Sequence, residues 1–154
     1  MTGPTSLKHS KEERSKGWRN EIEHAKRLER FNTGIEILNE LKQHRKEDFC
    51  NDIKVLSIAE RNLQVCTDFL IDLSTHILSK LDAEIPETYK EIVEKIHTTG
   101  AIDKDLKQKL ADLVGLRNII VRMYADIKAE TIYENLNDII ATLKHSAKRL
   151  PRIL

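Results

Sequence analysis

An all-α helical bundle is the fold this sequence predicts, on three observations. Apolar residues recur at three- and four-residue intervals over long stretches, and no stretch alternates with the period of two that a half-buried strand needs. Glycine (5), proline (3) and aromatic residues (5%) are scarce against 33% charged residues, a composition that favours helices. The connections between periodic stretches are short, as in up-and-down bundles. A chain of 154 residues makes one domain with enough length to bury its own core. Its formal charge of +1 argues against a strongly basic binder of nucleic acid, so any such contact has to come from a local patch. No run approaches the roughly 18 apolar residues of a membrane span. The polar N-terminus does not read as a signal peptide. The expectation is therefore a cytoplasmic protein with no membrane contact. Cys50 and Cys66 lack metal-ligand spacing and read as reduced, partly buried thiols.

Taken in order, residues 1–17 carry Lys8, Lys11, Glu12, Glu13, Arg14 and Lys16 with almost no apolar residues, and read as a flexible leader. The bundle domain spans 18–154. Its first helix shows Ile22, Ala25, Leu28, Phe31, Ile35, Leu38 and Leu41 at helical period, with Gly34 a place for a bend or break. Asn51 or Asp52 can cap the next helix, whose stripe is Leu56, Ala59, Leu63, Cys66, Leu70, Leu73 and Ile77. The opposite face holds Arg61, Gln64, Asp68, Asp72 and Thr75. It reads as a solvated face with helix-spaced charge pairs. Pro86 suits the first turn of a short helix with Tyr89, Ile92, Val93 and Ile96, and Gly100 ends it. Asp103 caps a long helix through Leu106, Leu110 and Leu113 into Arg117. The last helix carries Ile132, Leu136, Ile139, Ile140, Leu143, Ala147 and Leu150. Its basic end (Lys144, His145, Lys148, Arg149) suits the helix dipole, or a minor contact with RNA. That makes about five helices.

The most informative stretch is Leu116-Arg117-Asn118-Ile119-Ile120-Val121-Arg122-Met123-Tyr124. Leu113, Leu116, Ile120, Met123 and Ile127 share one face, Arg117 and Tyr124 lie at its edge, and Asn118 and Arg122 form a polar pair further round. Ile119 and Val121 make the flanks apolar too. A helix apolar on several sides is usually buried on several sides, so these polar groups are expected in a groove or a subunit interface. Guanidiniums there are costly without an anion beside them, a carboxylate or a phosphate.

This stretch resembles the signature of the HEPN ribonuclease superfamily, and closely that of HepT-like toxins of HEPN/MNT toxin–antitoxin pairs. That signature reads Arg, a polar residue, three further residues, His, one residue, Tyr. Arg117, Asn118 and Tyr124 match it in type and spacing, and Arg122 stands at the position of the His. The resemblance extends from about Leu28 to Leu150. It includes Ala59-Glu60-Arg61-Asn62-Leu63-Gln64, Ile85-Pro86-Glu87-Thr88-Tyr89 and Leu113-Val114-Gly115-Leu116-Arg117-Asn118. It implies a HEPN-type bundle that is dimeric, with a shared active site, cutting RNA (mRNA or tRNA) without a metal or other cofactor. It also implies a partner, a cognate MNT-type nucleotidyltransferase antitoxin, that transfers AMP to Tyr124. Arg61, Asp68 and Asp72 are then candidates for supporting the groove, and either aspartate could hold an arginine in place.

Metal-free RNA cleavage needs a base for the 2′-hydroxyl proton, an acid for the leaving oxygen and a cation for the charge growing on the phosphate. By the resemblance, Arg117 stabilises charge, Asn118 orients, and the residue at 122 transfers protons. Arg122 cannot do the last, because its guanidinium stays protonated and offers no lone pair. The expectation is an RNA-binding or inactive site, either detoxified by mutation or inactive by nature. The histidines His9, His24, His44, His76, His97 and His145 fall outside the motif and read as surface or interface residues. AMP on Tyr124, close to Arg117, would occupy the anion site and block RNA. The competing reading is a non-catalytic helical dimer that binds a nucleotidyltransferase or a nucleotide.

Overall fold

The computed structural model describes residues 4–122 and 129–150, with side chains described from Ile22 onward within those ranges. The chain is an all-α bundle, as its periodicity predicts. Six helices are present among the described residues: α1 (Pro4–Leu41), α2 (Lys46–Asn51), α3 (Ile53–Lys80), α4 (Tyr89–Thr98), α5 (Lys104–Arg122) and α6 (Ala129–Arg149). α3 is the axis, packing against the other five, with α1 along its whole described flank and α6 closing the bundle over α1, α2 and α5. Its expected stripe is buried from Ala59 to Ile77, with Leu56 half-buried, and Phe69, Ile71 and Leu78 beside it are buried too. A central helix has little free circumference. Its buried hydroxyls are satisfied on its own turns: Thr67 donates to the Leu63 carbonyl and Ser74 to that of Leu70, each at 2.8 Å.

Local signals start and stop these helices. Asp52 accepts from the amides of Lys54 (2.9 Å) and Val55 (3.4 Å), and Asp103 from that of Leu106 (2.8 Å), both as expected of N-caps. Gly100 ends α4 at a φ of 85°, a conformation open to glycine at little cost.

Several expectations need correction. Pro86 lies ahead of α4 and not in its first turn; Thr88 is the cap, its hydroxyl accepting from the Glu91 amide at 3.2 Å. Thr88-Tyr89-Lys90-Glu91 has the capping-box spacing, which overrides the proline. Gly34 does not break α1, which runs through it. A Cβ on it would stand 2.5 Å from the Cys66 sulfur, so the glycine lets α1 and α3 approach closely. α2 escapes a periodicity search because six residues are too few. Tertiary contacts hold it: Phe49 is fully buried, its ring 5.2 Å from that of Tyr133, and the Tyr133 hydroxyl donates to the His44 carbonyl at 2.8 Å. The helical backbone of α1 begins at Pro4.

Candidate functional site

Arg117 sits where three helices meet. α5 carries it inward at the turn where the buried Leu113 and Val114 face the core. Its Nε donates to Asp68 Oδ1 on α3 at 2.7 Å, and its Nη1 donates to Asn118 Oδ1 at 3.1 Å. The guanidinium carbon lies 4.4 Å from the centre of the Tyr89 ring on α4, in cation–π contact. Only 17% of the Arg117 side chain and 28% of that of Asp68 reach solvent, so neither charge would be tolerated there alone. A pair this sheltered contributes about 2 kcal/mol, between the exposed and the fully buried limits. Asp68 engages Nε and Asn118 engages Nη1, which leaves Nη2 without a hydrogen bond among the described residues, a donor that a phosphate oxygen can take.

Tyr89 completes the clamp. Burial, and then the Asp68 carboxylate beside it, push its phenol above the ordinary value, against the opposing pull of Arg117 and Arg27. At neutral pH it is therefore a protonated, uncharged ring with a guanidinium on its face. The sequence placed Tyr89 on the apolar side of a short helix and did not single it out as a site residue. Its function rests on packing against a residue of another helix.

One turn along α3, Asp72 forms an ion pair with Arg27 of α1. Asp68 and Asp72 thus each hold an arginine, from α5 and α1 in turn. Arg61 is exposed and has no ion pair or hydrogen bond among the described residues. The same is true of Arg122 at the end of α5, five positions after Arg117 and about 140° round the helix. Within one copy, the structure brings Arg117, Asn118, Asp68 and Tyr89 together and leaves Arg122 apart. Tyr124 lies outside the described residues.

Two histidines flank this region. The rings of His24 and His76 lie 5.3 Å apart between α1 and α3. Burial, Lys80 and His24 lower the pKa of His76. His97 braces the α4–α5 turn through Nδ1 and the Ile102 carbonyl at 2.9 Å. Cys66 is a free, fully buried thiol, pushed up to about 12 by burial, and is inert at neutral pH. Among the described residues no three His, Cys, Asp or Glu side chains are placed to hold a metal ion, and no helix is long and apolar enough to cross a membrane.

The family model described as "Ribonuclease HepT-like" matches residues 22–150, a span that holds every residue of this cluster. The chain belongs to that family. Among its relatives, the tRNA nuclease HepT of Aphanizomenon flos-aquae is 29% identical over 107 residues, 70% of this chain and 73% of the relative. The mRNA nuclease HepT of Shewanella oneidensis is 29% identical over 87 residues, 56% of this chain and 62% of the relative. A solved structure, the tri-AMPylated Shewanella oneidensis HEPN toxin in complex with MNT antitoxin, superposes with a TM-score of 0.76 at 19% identity. It covers 84% of this chain and 96% of the toxin. The bundle of this HepT-like chain is thus the HEPN fold. The clamp around Arg117 is built on that fold's central helix.

Proposed function

We propose that this HepT-like chain is the toxin subunit of a HEPN/MNT toxin–antitoxin pair: by descent a metal-independent RNA endonuclease, and in this sequence a protein that binds RNA phosphate without cutting it. The observation that carries the reading is the Arg117 clamp, a preorganised guanidinium whose Nη2 has no hydrogen bond among the described residues, in a chain of the ribonuclease family. Arg117 supplies charge stabilisation and Asn118 orientation. Arg122 stands where a proton-transfer group belongs and cannot give or take a proton.

Two copies meeting at their α5 helices would bring residue 122 of one towards the other's Arg117. Ile119 and Val121, each 40% exposed, supply apolar surface for that contact. Light scattering should therefore give a dimer mass. A monomer at high micromolar concentration would overturn the dimer.

The partner in this reading is the cognate nucleotidyltransferase antitoxin, with ATP as donor of AMP to Tyr124. Mass spectrometry should place the adduct on Tyr124, and Tyr124→Phe should abolish it. Labelling confined to Tyr89 or Tyr133 would sink the assignment.

The reading as a whole is tested by RNA cleavage in the presence of chelator. Restoring a base by Arg122→His should raise the rate on the order of 10²–10⁴-fold and arrest growth when no antitoxin is present. Equal activity in the two proteins would remove residue 122 from the chemistry. Equal inactivity, with folding and dimerisation intact, would favour the second reading: a non-catalytic dimer that binds a nucleotidyltransferase or a nucleotide. The permanent charge of Arg122 is the observation that favours it.

A further inference from the structure

The Arg27–Asp72 pair has no place in the proposed chemistry, yet it repeats the Arg117–Asp68 pair one turn along the same face of α3. α1 and α3 run antiparallel there: Phe31 stacks near Phe69 at 4.9 Å, Arg27 meets Asp72, and His24 faces His76. The two carboxylates are four residues apart, about 6 Å along the helix. Each fastens one guanidinium, Asp72 that of Arg27 from α1 and Asp68 that of Arg117 from α5. The two rungs differ in openness, since Arg27 is 48% exposed where Arg117 is 17%. Arg27 gives only Nη2 to Asp72, so its Nε and Nη1 have no partner among the described residues. Tyr89, in contact with Arg117, also feels the positive charge of Arg27.

We propose that Arg27 is a second phosphate-binding residue, taking the backbone phosphate next to the one held at Arg117 when an RNA strand lies along α3. This deepens the RNA-binding reading above and rests on it. The one-turn offset of the two pairs, about 6 Å along α3, is on the order of the separation of neighbouring phosphates on one strand. The carboxylates hold both guanidiniums in place beforehand, so less ordering is left to the moment of binding. The ligand implied is an RNA strand with its backbone against α3.

The test is binding of a short fluorescent single-stranded RNA to the full chain by anisotropy, in chelator, over a series of salt concentrations. Each phosphate contact on a single strand adds about 0.7 to the slope of log affinity against log salt. Arg27→Ala should weaken binding about tenfold and reduce the slope by that amount, and Arg27→Lys should keep the slope. Asp72→Asn breaks the ion pair but leaves the cation, so it too should keep the slope. If the pair only braces α1 against α3, Asp72→Asn and Arg27→Ala would act alike, and the proposal falls. Arg45→Ala, at an exposed arginine just ahead of α2 that pairs only with Asp48 among the described residues, should change nothing; an equal slope loss there would mean that only overall charge is being read. An unchanged slope in Arg27→Ala together with a reduced one in Arg117→Ala overturns the second subsite and leaves the RNA reading standing. Absence of RNA binding by the parent chain at the lowest salt overturns both.

Discussion

Arg117 and Arg122 stand five positions apart on one helix, carry the same side chain, and live in different environments. The first is fixed from three helices by a carboxylate, an amide and an aromatic ring. The second is exposed at the last described turn of α5, with no ion pair among the described residues. The difference teaches that the two halves of the proposed chemistry are separable in this fold. In the proposed reading the anion-binding residue, Arg117, is held by contacts within one copy, and none of them involves residue 122. Proton transfer depends on a residue that one copy alone leaves unsupported. A substitution at 122 can therefore silence chemistry at almost no cost to the bundle.

The largest effect that would break this comparison lies in the repaired protein. With Arg122→His in place, Arg117→Ala should lower RNA cleavage by about 10²–10³-fold, the usual loss for a single charge-stabilising donor. The fold should remain intact by circular dichroism. Retained cleavage would mean that the clamp has no part in the reaction.

A smaller effect lies in stability. Asp68→Ala strands the sheltered Arg117 charge and should cost about 2 kcal/mol in urea denaturation. Arg122→Ala should stay within about 0.5 kcal/mol, as exposed substitutions do. Similar losses at both positions would abolish the asymmetry between the two arginines.

The smallest effect is a titration. The pKa of Tyr89 is raised in the folded chain, so its proton is held there more tightly than in the unfolded one. The resulting stability is fully present below the ordinary phenol value of about 10 and is lost as pH rises through the folded value. Tyr89→Phe should remove that part of the alkaline slope of stability. Asp68→Ala should lower the tyrosinate titration seen by ultraviolet absorbance, since it removes a negative neighbour. A Tyr89 titration that Asp68→Ala leaves unmoved would break the link between clamp and ring.

Much of the fold was legible beforehand because its signals are local. The stripes of α3, α5 and α6, the caps Asp52 and Asp103, and the stop at Gly100 all depend on neighbours within one or two turns. The capping-box spacing at Thr88 was equally local, and Pro86 drew the reading away from it. Arg117 and Asn118 were legible as a motif, and Asp68 as one of two carboxylates that an arginine might use.

What the sequence determined by itself is the all-α class, most of the helices, and the polar residues set in the apolar run of α5. Tertiary structure alone decided which carboxylate meets which arginine. Asp68 and Arg117 are 49 residues apart in sequence, and Asp72 and Arg27 are 45 apart. Their pairing follows from how far α1 and α5 slide along α3, and no local preference encodes that register. Gly34 shows how one such register is set: only a residue without a Cβ lets α1 close on Cys66. Tyr89 joined the site for the same reason, because a ring becomes a platform for a cation only when another helix delivers the cation to its face.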